Sequence, residues 1–244
     1  MNPIKRETYL CELINRKENG LIKVITGIRR CGKSYLLFNI YYEYLLSQGV
    51  SEENIIKISL DDEENEELRE PKKLSAYIRE KLSNNDLMHY VFIDEVQYAI
   101  KKEDLKSDKP LPLYGVLNGL LHKDNVDVYV TGSNSKLLSK DVMTEFRGRG
   151  DEVRIYPLTF KEFYAYTGGD KAEAFEEYAL YGGLPLAVRR PVVAACHGRA
   201  VLCGAGAAHL VHPFGLRRTG PQHRPAARRR THPVLGDVAL LCAG

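Results

Sequence analysis

Tryptophan is absent, and no run of about 18 residues is apolar and free of charge, so no segment reads as a membrane-spanning helix. Residues 1–7 lack the apolar core of a secretory leader, and a cytoplasmic protein with no membrane partner is expected. Five cysteines, an odd number at irregular spacings, outline no disulfide framework. What remains is an ordinary globular composition. The 244 residues are 44% hydrophobic and 27% charged, room for one large domain or one domain plus a fragment.

The net charge of +3 averages two unlike segments. Residues 1–187 hold 26 Lys and Arg against 31 Asp and Glu, a net of −5, whereas residues 188–244 hold 9 Arg and a single acid, Asp237, a net of +8. The acidic larger part offers no evident surface for nucleic acid. Lys, Glu, Asn, Ile, Tyr, Ser and Met all vanish after Val188, replaced by Ala, Arg, Gly, Pro, His and Cys with no sustained period. Reading a gene out of frame produces such a shift, from residues with AT-rich codons to residues with GC-rich ones; a natural basic tail is the alternative. Either way, residues 188–244 are not expected to form a packed domain.

The first 187 residues alternate helix-like and strand-like runs, the pattern of an α/β fold with a parallel sheet. Helices are expected over residues 4–14, 33–47 and 71–82 and around 116–121. Strands are expected over 21–26, 54–60, 90–93, 127–130 and 152–156. The acidic run 61–67 and the charged run 101–109 read as solvated loops.

Gly27-Ile28-Arg29-Arg30-Cys31-Gly32-Lys33-Ser34 fits G-x-x-x-x-G-K-[ST], the phosphate-binding loop, between an apolar strand and an amphipathic helix. Its glycines let the backbone wrap around phosphate, so that successive N–H groups and the helix N-terminus face the oxygens. Lys33 would bridge the β- and γ-phosphates and the Ser34 hydroxyl would ligate Mg²⁺. The expected nucleotide-binding set is Gly27, Ile28, Arg29, Arg30, Cys31, Gly32, Lys33, Ser34 and Tyr35. Arg29 and Arg30 occupy free positions of the loop and are equally suited to pairing with the acidic run 61–67. Cys31 reads as a small filler residue more readily than as a reactive thiol.

Tyr90-Val91-Phe92-Ile93-Asp94-Glu95 is a buried strand delivering two carboxylates at its C-terminal end, where α/β sheets bind ligands. Asp94 would hold Mg²⁺ through its water shell and Glu95 would act as general base on the attacking water. Val128-Tyr129-Val130-Thr131-Gly132-Ser133-Asn134 is a third strand, ending in small polar groups. Ser133 or Asn134 would either reach the γ-phosphate or cap the next helix. Phe146-Arg147-Gly148-Arg149-Gly150 sets two arginines on a glycine-flanked loop, suited to stabilising charge on a transferring phosphoryl group, in cis or in trans, or to a solvated turn. Cys196, Cys203, His209 and His212 match no standard zinc spacing.

Together these strings resemble the prokaryotic AAA-type ATPases. Further stretches share the resemblance: Ile155-Tyr156-Pro157-Leu158-Thr159-Phe160-Lys161-Glu162-Phe163, and Tyr181-Gly182-Gly183-Leu184-Pro185. The resemblance covers about residues 1–187. It implies a P-loop NTPase core with a parallel five-stranded sheet of the additional-strand type, the Thr131 strand lying between the other two motif strands. It implies ATP with Mg²⁺, Glu95 as catalytic carboxylate, the Arg147/Arg149 loop as candidate arginine finger, and a homo-oligomer in full-length relatives. On this basis residues 1–165 form the ATPase core and 166–187 begin a helical, winged-helix-like segment. ATP hydrolysis is the expected activity; the alternative is a nucleotide-dependent switch with little turnover. No Asn-Lys-x-Asp string occurs, which disfavours guanine nucleotides, and the paired carboxylates suit water activation better than a small-molecule kinase.

Overall fold

A computed structural model describes residues 4–82, 85–101, 103–104, 110–132 and 148–189. The expectations for Ser133, Asn134 and Arg147, for most of the run 101–109, and for the segment from 190 onward lie outside the described residues.

Five strands form one parallel sheet: β1 (Ile22–Gly27), β2 (Ile55–Ser59), β3 (His89–Asp94), β4 (Val126–Thr131) and β5 (Gly150–Ile155), in the order β2-β3-β4-β1-β5. The Thr131 strand therefore separates the phosphate-loop strand from the Asp-Glu strand, the P-loop NTPase arrangement. Because every pair is parallel, the C-terminal ends of β1, β3 and β4 emerge on one edge.

Side chains alternate along each strand, so the sheet has two apolar faces and two cores. One face combines Val24, Ile58, Val91, Ile93, Val128 and Val130 with Leu74 and Ile78 of α3 (Pro71–Leu82) and Leu113 and Leu117 of α4 (Pro112–Leu121). The other combines Ile25, Phe92, Tyr129 and Val153 with Leu10 and Leu13 of α1 (Glu7–Asn15) and with Leu36, Leu37, Tyr41 and Leu45 of α2 (residues 33–47). Helix α2 spans residues 33–47 as expected, with a π-type middle piece, Leu36–Tyr41, between Lys33–Tyr35 and Tyr42–Ser47. A charged pair crosses the sheet inside the second core: Lys23 bonds Asp127, which also accepts from the Tyr129 hydroxyl at 2.8 Å. Helices α5 (Phe160–Thr167), α6 (Lys171–Tyr181) and α7 (Pro185–Arg189) follow the sheet. Thr159 and Glu162 close a reciprocal capping box on α5, and Asp170 caps α6.

Two expectations need correction. The acidic run is not a plain loop: Glu63–Arg69 winds into short 3-10 turns, because the Asp62 carboxylate accepts the Glu64 N–H at 3.2 Å and starts them. Helix α1 begins at Glu7 rather than residue 4, and Ile4 instead packs into the interior ahead of it.

Candidate functional site

Backbone geometry at the end of β1 depends on one missing side chain. A Cβ on Gly27 would stand 2.3 Å from the Ile155 carbonyl oxygen, and the residue sits at φ 148°, so only glycine lets the chain turn here against β5. Cys31 fills the space beneath the turn. It is fully buried, with its sulfur against Gly27, and burial pushes its thiol pKa up, which suits a filler rather than a reactive thiolate. Ile28, Arg29 and Arg30 are exposed. Among the described residues the acidic run pairs through Glu67 with Lys73, at 3.3 Å, and not with Arg29 or Arg30.

Lys33 starts α2 yet is almost wholly buried, its Nζ folded back to donate to the carbonyls of Gly27 at 3.2 Å and Ile28 at 3.1 Å. A cation satisfied only by neutral carbonyls can exchange them for anionic oxygens at little cost. Ser34, next on the helix, donates its hydroxyl to Asp94 at the end of β3. The Thr131 hydroxyl at the end of β4 also donates to Asp94, and it accepts the Glu95 N–H at 3.2 Å. Short polar side chains thus tie the ends of β3 and β4 to each other and to the start of α2. Sequence reasoning passed over Thr131 in favour of Ser133 and Asn134. The signal was there, because Thr131 is the last residue of a strand flanked by both motif strands.

Burial raises the Asp94 carboxyl above the ordinary aspartate range; the Ser34 and Thr131 hydroxyls oppose this, and the neighbouring Glu95 and Asp61 carboxylates add to it. A raised carboxyl keeps its proton in the folded chain at pH values where the unfolded chain has lost it. Its stabilisation is therefore complete below about pH 4 and is lost as pH rises through the raised value. Asp94→Asn is accordingly expected to raise the thermal midpoint of the nucleotide-free, metal-free protein at pH 7, with the gap closing as the pH falls toward 4. Thermal unfolding at both pH values checks this, and a variant less stable than the original at pH 7 contradicts it.

Glu95 adopts the left-handed conformation, φ 55°, seldom tolerated by a side chain of its size, and it accepts a hydrogen bond from the Gln97 amide nitrogen. The residue lines a cavity of about 320 Å³ together with Arg30, Cys31, Gly32, Lys33, Ser34 and Tyr35. The remaining walls come from both ends of the described chain: Ile4 and Arg6 before α1, and Pro185 and Leu186 at α7. A second glycine makes the latter approach possible. A Cβ on Gly183 would lie 2.1 Å from the Leu158 carbonyl oxygen, and the Gly183 carbonyl accepts the Leu158 N–H at 2.7 Å. Pro185 consequently sits where a Gly32 Cβ would meet its ring at 3.7 Å. Arg6 and Leu186 belong to this cavity without having been singled out in the sequence, and Pro185 was marked only as part of the Tyr181–Pro185 stretch, with no site role.

Arg149 lies elsewhere. It is exposed just before β5, at the N-terminal edge of the sheet, where its carbonyl accepts the Ile22 N–H at 2.9 Å and its Nη1 is 3.5 Å from the Asn118 side-chain oxygen. The six residues of β5 set it about 20 Å from the cavity end of the sheet. Action on its own cavity is excluded for Arg149, which leaves a neighbouring copy or a solvated turn.

Residues 19–164 match a family described as AAA domain. An uncharacterized protein of Haemophilus influenzae is 36% identical over 190 residues, which is 76% of this chain and 44% of that protein. An uncharacterized protein of Methanocaldococcus jannaschii is 32% identical over 180 residues, 67% of this chain and 35% of that one. The chain thus spans less than half the length of these curated relatives. Among solved structures, the Saccharomyces cerevisiae Hsp104:casein complex in its extended conformation superposes with a TM-score of 0.50 at 15% identity, over 75% of this chain and 35% of that chain, a likeness of fold. Among the described residues no helix is long and apolar enough to cross a membrane.

Proposed function

The chain belongs to the AAA domain family, and from that premise we propose that it binds ATP with Mg²⁺ and hydrolyses it to ADP and phosphate. Membership supports nucleotide binding and hydrolysis in general. The observation that carries the finer reading is the convergence of Lys33, Ser34, Asp94 and Glu95 at one end of the sheet, with Lys33, Ser34 and Glu95 on one cavity.

The donor set suits Mg²⁺, which takes hard oxygen ligands and one or two carboxylates, keeping its other positions for water and substrate phosphate. Ser34 and Asp94 would hold it, and when bound it would neutralise charge across the β- and γ-phosphates. Lys33 would exchange the Gly27 and Ile28 carbonyls for phosphate oxygens, and the loop N–H groups would wrap the β-phosphate. Glu95 would take a proton from the attacking water as the water oxygen bonds to the γ-phosphorus and the bond to the bridging oxygen breaks, releasing ADP. Calorimetric titration with Mg·ATP is expected to show one nucleotide per chain, and the absence of saturable binding rejects the reading.

Arg149 would serve the cavity of a neighbouring copy as its arginine finger. ATPase activity per chain is then expected to rise with protein concentration, and Arg149→Ala to abolish the rise. A rate per chain independent of concentration, from a monomer by light scattering, contradicts action in trans.

A further inference from the structure

Arg6 is a buried cavity residue whose chemistry the proposed hydrolysis leaves unused. It is 4% exposed, and its guanidinium is committed at two of three nitrogens: Nη2 donates to the Tyr156 carbonyl at 2.6 Å, and Nε faces Glu162 at 3.3 Å. The third nitrogen, Nη1, is buried with no partner, although Arg6 lines the cavity. A buried, unsatisfied nitrogen on a charged group costs the full desolvation of that donor, which a ligand acceptor would restore. Arginine has only donors, so the missing partner is an acceptor.

We propose that Arg6 Nη1 donates to the nucleoside part of the bound nucleotide, and that the same guanidinium passes occupancy of the cavity to helix α5; this rests on the nucleotide reading above. The phosphate end already has its cation in Lys33. The cavity walls outside the phosphate loop include Ile4, two residues before Arg6, with Pro185 and Leu186, apolar surface that suits a base rather than a triphosphate. The transmitting contacts are direct. Glu162 turns one carboxylate oxygen toward Arg6 and uses the other to cap α5, accepting from the Thr159 N–H at 2.8 Å and hydroxyl at 3.0 Å. The Tyr156 backbone is held on both sides of its Cα, its carbonyl by Arg6 and its N–H by the Tyr9 hydroxyl at 3.1 Å. Locking Arg6 from the cavity side therefore steadies the junction between β5 and α5.

The test compares Mg·ATP and inorganic tripolyphosphate on the unaltered chain, Arg6→Lys, Arg6→Gln and Lys33→Ala. Arg6→Lys keeps the charge but cannot span all three partners, and it decides the matter if Arg6→Gln does not fold. Both Arg6 variants are expected to bind ATP about ten-fold more weakly or worse while tripolyphosphate affinity holds, which also certifies the fold. ATP is expected to slow amide exchange over residues 156–167 in the unaltered chain and not in Arg6→Lys. Unchanged ATP affinity in Arg6→Lys, or an equal loss for both ligands, overturns the nucleoside contact, and exchange over 156–167 indifferent to ATP overturns the transmission. If Lys33→Ala binds both ligands as the unaltered chain does, the nucleotide reading itself fails, a result separate from these.

Discussion

Glu95→Gln is expected to lower ATP hydrolysis by about 10²–10⁴-fold, the range a positioned general base contributes, while Mg·ATP affinity stays within about threefold of the unaltered chain. The substitution keeps the length of the side chain and its capacity to accept the Gln97 amide hydrogen bond, and removes only the basic oxygen. Backbone geometry supports the assignment. A glutamate held at φ 55° directly after a buried aspartate is a strained arrangement that the fold maintains at a cost, of the kind that collects at functional sites. Single-turnover hydrolysis alongside equilibrium binding separates the two effects. Turnover unchanged in the variant removes Glu95 from the chemistry.

Lys33→Ala is expected to act at the binding step. Its Nζ, now on two loop carbonyls, would form charge-assisted hydrogen bonds to phosphate oxygens. Two such bonds at about 1.5–3 kcal/mol each place the loss of ATP affinity at about 100-fold or beyond. The fold should survive, since Lys33 is joined to the rest of the chain only through neutral carbonyls of its own loop. Equal affinities for Mg·ATP in variant and original, measured by titration on folded protein, contradict the site.

What could be read in the sequence follows from the range of the interactions involved. The phosphate loop was legible because strand, glycines and helix are contiguous, and the conformations of Gly27 and Gly32 are demands that the local chain makes on itself. Tyr90–Ile93 was legible because a central strand covered on both faces reads as an unbroken apolar run. The acidic run was misjudged because polarity marks exposure, and residues 61–67 are largely exposed, whereas a carboxylate cap is a local hydrogen bond that polarity does not report. Arg6 was illegible for a different reason. Its partners lie about 150 residues away at Tyr156 and Glu162, and no periodicity links a residue ahead of the first helix to the end of the last strand. Pro185 reaches the cavity only because Gly183 allows its backbone onto Leu158, a close approach invisible until both segments are placed. Arg149 shows the converse case. The sequence marked it as a suitable phosphate ligand, and only the parallel register of β5 with β1 reveals that it stands at the far end of the sheet.

Steady-state release of inorganic phosphate from Mg·ATP is the most direct measure of the central claim. The account predicts release that saturates with ATP, requires Mg²⁺, is inhibited by ADP and disappears in Glu95→Gln. A chain that binds Mg·ATP stoichiometrically yet releases no phosphate above the Glu95→Gln background contradicts hydrolysis and makes the site a nucleotide-dependent switch.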